Sequence, residues 1–356
     1  MVMEEKQILI DSTKIGDGCA PYVIAEMSAN HNGSIDNAFR LIDAAVEAGA
    51  SAIKLQTYRP DTITLDSNDK EFVIEGGLWD GQTLYELYGS AFTPWEWHAD
   101  LFAYARKRGI TIFSSPFDHS AVDLLEDLNA PAYKIASFEA IDLPLIRYAA
   151  STGKPMIIST GMADIQEIEE AVDTARSAGC KELALLLCVS GYPAPASEYN
   201  LKTIADMRER FGCISGLSDH TLGNTTAVAA VSVGAAIIEK HFTLDRSRGG
   251  PDDSFSLEPK EFGELCRDTA IAWEALGTVD YGRKSSEIGN VQFRRSLYFV
   301  EDLKAGTVIE AQHVRSVRPG YGIAPKYFDE IIGCRLRVDV SYATPVSWES
   351  FELLKK

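Results

Sequence analysis

The sequence predicts a closed parallel barrel of eight strand-helix units, an α/β fold, followed by a small turn-rich domain. Eight short apolar runs alternate with amphipathic stretches between residues 22 and 240, the rhythm of roughly 250 residues over which such a barrel closes. Several of the amphipathic stretches stop at a glycine (Gly49, Gly109, Gly179 and Gly212), a residue that ends a helix in the left-handed region without a Cβ penalty. Polar side chains also collect where the apolar runs end, which is the face on which barrels do their chemistry. An open doubly wound sheet is the alternative, but no Gly-x-Gly-x-x-Gly follows the first run.

Taken in order, the expected strands are 22–26, 52–56, 111–114, 132–136, 155–159, 183–188, 213–216 and 236–240. Runs such as Leu-Ala-Leu-Leu-Leu-Cys at 183–188 carry no alternation, as suits a strand covered on both faces. Helical spacing marks 37–48, 94–108, 165–178, 201–211 and 224–233. Two segments break the rhythm: a long connection at 58–92, and the Gly-Pro turn with carboxylates at 246–259. Long loops on the active face of a barrel cover or select a substrate. After a helix at 261–276, short β-like runs fill 294–356. The expected division is therefore a barrel over 1–283, a linker over 284–293 and a small domain over 294–356. A domain of about 60 residues is near the lower limit for folding alone, so docking on a partner would help it.

Charge and cysteine usage narrow the function class. There are 52 acidic against 34 basic residues, a formal charge of −18, which argues against nucleic acid or an anionic membrane as the main partner. A small anionic substrate then needs a locally basic pocket. No apolar run approaches the ~20 residues of a membrane span, and the first residues lack the basic-then-apolar order of a signal peptide, so a cytoplasmic location is expected. The six cysteines include no Cys-x-x-Cys pair, and reduced, partly buried thiols are expected.

The chemistry is concentrated at the strand ends. Gly-Leu-Ser-Asp-His at 216–220 and Ile-Ile-Glu-Lys-His-Phe-Thr at 237–243 each end an apolar run on a histidine flanked by a carboxylate. His220 and His241 thus finish neighbouring strands and are placed to share one metal ion. Glu26, Lys54, Gln56, Ser115, Lys134, Ser137, Ser159, Ser190, Tyr192, Ser218 and Glu239 follow the strands in the same way. A lysine in a strand buried on both faces needs a partner. For Lys54 and Lys134 three partners stand open: a phosphate or phosphate-carboxylate ligand held with the serine hydroxyls, an internal salt bridge such as Lys134 with Glu139, or a Schiff base. Asp252, in the second irregular segment, is either a ligand for sugar hydroxyls or amides or a plain turn residue.

These residues resemble the sialic acid synthase family, enzymes that condense phosphoenolpyruvate with an amino-sugar aldehyde. The resemblance rests on Ile-Ala-Glu-Met-Ser-Ala-Asn-His at 24–31, Lys-Leu-Gln-Thr at 54–57, Ser-Ser-Pro-Phe at 114–117, Tyr-Lys-Ile-Ala-Ser at 133–137, Ser-Thr-Gly-Met at 159–162 and the two histidine segments. Arg-Pro-Gly-Tyr-Gly at 318–322 resembles the antifreeze-protein-like (SAF) domain of the same family. Gly-Gly-Leu-Trp-Asp at 76–80, Leu-Tyr-Glu-Leu-Tyr at 84–88, Thr-Pro-Trp-Glu-Trp-His at 93–98 and the 249–259 segment are most similar to its pseudaminic acid branch. That branch implies a 2,4-diacetamido-2,4,6-trideoxy hexose as acceptor, with sialic or legionaminic acid synthesis as the rival.

The resemblance also implies roles. His220 and His241 match ligands of a divalent metal, manganese first, with magnesium or cobalt as alternatives. Lys54, Ser115, Lys134, Ser137, Ser159, Ser190 and Ser218 match positions around phosphoenolpyruvate. Gln56, Tyr192 and Asp252 match the acceptor side, and Glu26 and Glu239 lie near it as candidate catalytic carboxylates. Arg318 matches an arginine that one subunit supplies to the other, which implies a domain-swapped homodimer. At 188–192 the chain reads Cys-Val-Ser-Gly-Tyr, and Val189 stands where the family usually carries a hydroxyl.

Overall fold

The structure, a computed structural model, describes residues 6–352. The chain divides into two compact units, residues 1–277 and 278–356. In the first, a hairpin of β1 (Gln7–Ile10) and β2 (Thr13–Gly16) precedes the barrel. Eight parallel strands follow: β3 (Tyr22–Glu26), β4 (Ala52–Thr57), β5 (Thr111–Pro116), β6 (Tyr133–Ile135), β7 (Met156–Ser159), β8 (Leu183–Cys188), β9 (Ile214–Asp219) and β10 (Ile237–His241). They close in the order β10-β3-β4-β5-β6-β7-β8-β9, which is the predicted barrel. Strand β9 runs on to Asp219, and β10 to His241, because ladder pairing with neighbours continues to those residues. The candidate histidines therefore sit at the last position of one strand and the first beyond the other.

The interior reads with period two. Tyr22, Ile24, Ala52, Phe113, Ala132, Ile157, Ala184, Leu186, Ile214 and Ile237 form one buried cluster with Ile8, Ile10 and Ile15 of the hairpin. Most of these positions open their strands, so the hairpin plugs the end of the barrel where the strands begin. Two residues further along six of the eight strands the side chains turn polar: Glu26 follows Ile24, Lys54 follows Ala52, Ser115 follows Phe113, Lys134 follows Ala132, Ser159 follows Ile157 and Glu239 follows Ile237. The apolar lower layer and the polar upper layer thus share one inward face. Gly216 is required here, since a Cβ would lie 2.3 Å from the Ile237 carbonyl oxygen and 2.8 Å from Leu186.

Outward residues such as Val23, Ile53, Leu55 and Ile112 pack against the surrounding helices in a second cluster. Those helices are capped by side chains placed as the sequence requires. Asp164 accepts from the backbone of Gln166 and Glu167 while Glu167 returns a bond to the Asp164 N–H, a reciprocal arrangement worth about 1 kcal/mol. Gly109 and Gly212 end their helices in the left-handed region.

The second unit holds two antiparallel strands, β11 (Ser296–Phe299) and β12 (Val314–Val317), around a core that includes Leu297, Phe299, Ile309, Leu336 and Val346. Two other β-like runs read from the sequence form isolated bridges rather than ladders, Leu303 with Val340 and Val308 with Arg335. Residues 285–293 form a 3-10 stretch, tied down where the Gly320 N–H donates to the Gln292 carbonyl. No described helix is long and apolar enough to cross a membrane.

Candidate active site

The floor of the barrel mouth is a buried lattice of charges. Lys54, 3% exposed, places Nζ 2.7 Å from Glu26 Oε2 and 3.8 Å from Glu239 Oε1, and it donates to Ser115 Oγ at 3.2 Å. Lys134 Nζ donates to the same Glu239 oxygen at 3.3 Å, and Ser218 Oγ does so at 3.2 Å. The carboxylate partner of Lys134 is therefore Glu239 and not Glu139. Two glutamates face two lysines, yet the four respond differently. Burial pushes Glu26 up to about 7 despite Lys54, with Glu239 adding to the rise. Burial also raises Glu239, but the charges of Lys134 and Lys54 outweigh it and hold that carboxyl below its ordinary range. Burial wins at Lys134, which is pulled down; at Lys54 it loses to the charges of Glu239 and Glu26. One carboxylate stays ionised and the other titrates near neutrality, the separation that lets a site divide acid and base roles.

Beside this floor lies a cradle of hydroxyls. Ser137 Oγ accepts from the Gly161 N–H at 3.2 Å, and Ser159 Oγ is buried without a partner. A Cβ on Gly161 would meet Ser190 Oγ at 2.4 Å and Ser137 Oγ at 2.7 Å. Glycine is what lets these two hydroxyls converge. Cys188 Sγ, 4.0 Å from Ser190 Oγ, borders the same space.

His220 and His241 come together as the sequence predicts, with ring centroids 5.4 Å apart and planes at 65°. Nδ1 of His220 lies 2.9 Å from the Val189 carbonyl; because a carbonyl only accepts, Nδ1 carries the proton and Nε2 is left as the free nitrogen. The backbone of Val189 thus has a positioning part that its side chain lacks. Burial would lower His220, but the hydrogen bond and charge of Cys188, 3.9 Å from Nδ1, shift it upward. Burial, reinforced by the charge of His220, holds His241 far below its ordinary range, so its ring is neutral. His241 Nδ1 is buried without a hydrogen-bond partner, and Asp252 Oδ2 is 3.8 Å away. Among the described residues, no set of three or more His, Cys, Asp or Glu side chains converges as a metal cluster. Two adjacent imidazoles, one with its tautomer fixed and one with an orphaned nitrogen, still form a donor pair suited to a divalent cation that keeps open positions.

The segment after β10 folds back over the site. The Leu257 N–H bonds to the His241 carbonyl at 2.9 Å. Asp253 ties the turn down, accepting from the Gly250 N–H at 2.7 Å, from Asn32 at 3.1 Å and from Thr243 Oγ1. Asp253 is the turn residue, which frees Asp252 to join a chain across the mouth: Gln56 Nε2 donates to Glu26 at 2.8 Å and to Ser28 Oγ at 3.0 Å, and Ser28 donates to Asp252. The ring of Tyr192 stacks obliquely on His220 at 4.5 Å and contacts Phe255 at 5.3 Å. From the long loop, Trp79 reaches Tyr192 at 6.1 Å. Every predicted site residue of the barrel thus falls in one strand-end region, while Arg318 lies exposed in the second unit.

Sequence reasoning missed Ser28, Gly161 and Cys188, and took Glu139 only as a possible partner of Lys134. Glu139, mostly buried and pushed by burial to about 7, has an unpartnered Oε2. Only the glycine at Gly161, between Thr160 and Met162 on a polar strand end, was a usable signal.

Residues 41–281 match the NeuB family, and residues 294–352 match the SAF domain. The chain belongs to the NeuB family. This NeuB-family chain is 42% identical over 330 residues to "Pseudaminic acid synthase" of Campylobacter jejuni, covering 93% of this chain and 96% of that protein. It is 36% identical over 342 residues to "N,N'-diacetyllegionaminic acid synthase" of Legionella pneumophila, with 95% and 96% covered. Among solved structures it is similar to N-acetylneuraminic acid synthetase from Leptospira borgpetersenii in complex with citrate, with a TM-score of 0.72, 32% identity and 81% and 95% of the two chains covered. As a NeuB-family member with a SAF domain it is an enzyme of the nonulosonate synthase type, and the resemblance read from its motifs stands.

Proposed function

We propose that this enzyme is a pseudaminic acid synthase, condensing phosphoenolpyruvate with 2,4-diacetamido-2,4,6-trideoxy-L-altrose and water to give pseudaminic acid and phosphate. The observation that carries the reading is the cationic, hydroxyl-lined cradle beside the adjacent imidazoles of His220 and His241 at the barrel mouth. The 42% identity to the Campylobacter pseudaminic acid synthase, against 36% to the legionaminic acid relative, supports this choice of acceptor.

The residues divide the work by charge. Lys54 and Lys134, with Ser115, Ser137, Ser159, Ser190 and Ser218, hold the carboxylate and phosphate of the enol phosphate in a site from which water is excluded, where such contacts are strongest. His220 and His241 would hold a divalent ion, manganese first, which would supply Lewis acidity to polarise the aldehyde of the ring-opened sugar. Carbon three of phosphoenolpyruvate bonds to the aldehyde carbon, and water adds to carbon two. Glu26, titrating near neutrality, takes the proton of that water. The carbon-oxygen bond to phosphate then breaks, the phosphate leaving with the bonding electrons while the hydroxyl on carbon two gives up its proton to become the ketone and the former aldehyde oxygen takes one up to become a hydroxyl; Lys134 and Lys54 stay paired with the departing anion. Gln56, Tyr192 and Asp252 line the acceptor side, and Arg318 of a second subunit completes it in a domain-swapped homodimer.

Phosphate release measured with phosphoenolpyruvate, manganese and each candidate aldose tests the assignment. The diacetamido-trideoxy altrose is expected to turn over fastest, and borohydride is expected to leave activity intact. Faster release with the acceptors of sialic or legionaminic acid synthesis would replace the acceptor. Loss of activity on borohydride treatment would install a Schiff-base lysine instead.

A further inference from the structure

Trp79 stands at the edge of this site with an unmet chemical requirement. It closes the 3-10 turn Gly77–Trp79 at the tip of the long loop after β4. The tip is a built structure: the Ile74 N–H donates to Gln82 O, the Gly81 N–H to Ile74 O, both at 2.9 Å, and the Gln82 N–H to Trp79 O at 3.2 Å. The indole contacts Tyr192 at 6.1 Å between centroids, tilted by 57°, and Tyr192 in turn leans on His220 and Phe255. The aromatic wall that begins at the imidazole pair therefore ends at Trp79. Its Nε1–H is buried and has no hydrogen-bond partner. A buried indole N–H normally finds an acceptor, because leaving it unpaired forfeits what water would have given it. Among the described residues no acceptor meets it, and an acceptor that arrives with a ligand would.

We propose that Trp79 is a specificity-determining residue that recognises the 4-acetamido group of the acceptor sugar. An acetamido substituent offers what the wall lacks and can use: a planar carbonyl oxygen to accept from Nε1, and a methyl group to pack against the faces of Trp79 and Tyr192. A hydroxyl at the same carbon ends two bonds short of that carbonyl oxygen and carries no methyl, so it leaves Nε1 unpaired and the wall uncovered. A site built to hydrogen-bond one group discriminates against the analogue lacking it far more strongly than an apolar pocket does. This inference rests on the proposed function, since it names what part of that acceptor the loop reads.

The test compares the diacetamido-trideoxy altrose with its analogue bearing a hydroxyl in place of the 4-acetamido group, in the wild type, Trp79→Phe and Trp79→Ala. Trp79→Phe keeps an aromatic face but removes the N–H together with the five-membered ring that bears it. It is expected to lower the ratio of kcat/KM values between the two sugars about tenfold, with the loss in KM for the sugar, and Trp79→Ala is expected to lower it further. A ratio unchanged in both variants, including an equal loss with both sugars, would overturn the inference and leave the function standing. Absence of wild-type turnover with either sugar would overturn both.

Discussion

Glu26 shows how far a single carboxyl depends on its surroundings. Its neighbour in function, Glu239, has two lysines within 4 Å and stays ionised, whereas Glu26 has one, with burial and the charge of Glu239 working against it. If Glu26 is the base, kcat/KM rises as pH passes through about 7, because only the ionised carboxylate accepts a proton. Glu26→Gln is expected to remove that ascending limb and to lower kcat/KM by about 10²–10⁴-fold; a variant that keeps the limb would assign the base elsewhere. The identity of such residues was legible in the sequence because lysine and glutamate in apolar strands are chemically conspicuous. Their pairing was not: Lys134 has Glu139 five residues away in sequence, but its inward partner is Glu239 on another strand. Ser28 and Cys188 were illegible for a different reason, since a lone small polar residue in a buried segment looks the same whether or not it bonds to the site.

At the scale of elements, β9 and β10 are the pair on which the site depends. Their inward residues carry Ser218 and Glu239, and their outward residues carry a strut that sequence reasoning passed over. Lys240 Nζ donates to Asp219 Oδ2 at 2.7 Å and to the Thr221 carbonyl, and the Thr221 N–H donates to Asp219 Oδ1 at 2.8 Å. Both side chains are buried. The strut ties together the two strand ends that present His220 and His241. Removing one partner of a buried pair leaves the other charge uncompensated, so Lys240→Met is expected to cost about 3–5 kcal/mol in denaturant unfolding; a loss below about 1 kcal/mol would show that the pair carries little of the local stability. The strand-helix rhythm itself was legible from period and glycine stops, with helix ends displaced by a residue or two. The β1–β2 hairpin was missed because its buried residues, Ile8, Ile10 and Ile15, are interrupted by exposed ones that include the apolar Leu9, in a stretch too short to show a period. The long loop was recognised as a site element, but only the fold brings Trp79 to Tyr192.

The whole molecule pairs a barrel with a SAF domain, and the proposed homodimer gives that pairing a purpose. If Arg318 of one subunit completes the site of another, two inactive chains should restore one another. In a mixture of His241→Ala and Arg318→Ala chains, half of randomly assembled dimers are mixed and each has one intact site, so about a quarter of wild-type phosphate release is expected. No recovery after co-refolding would place Arg318 outside the partner's site. Barrel and small domain were both foreshadowed by composition and turn spacing, whereas subunit exchange follows from resemblance alone. The proposed chemistry requires a cation beside the anion cradle, and anomalous diffraction from a crystal grown with manganese and phosphoenolpyruvate would locate it. A single manganese peak bonded to one ring nitrogen each of His220 and His241, with the phosphate on Lys134 and the Ser137–Ser159–Ser190 hydroxyls, is the predicted result. Manganese bound elsewhere, with those two imidazoles unligated, would contradict it.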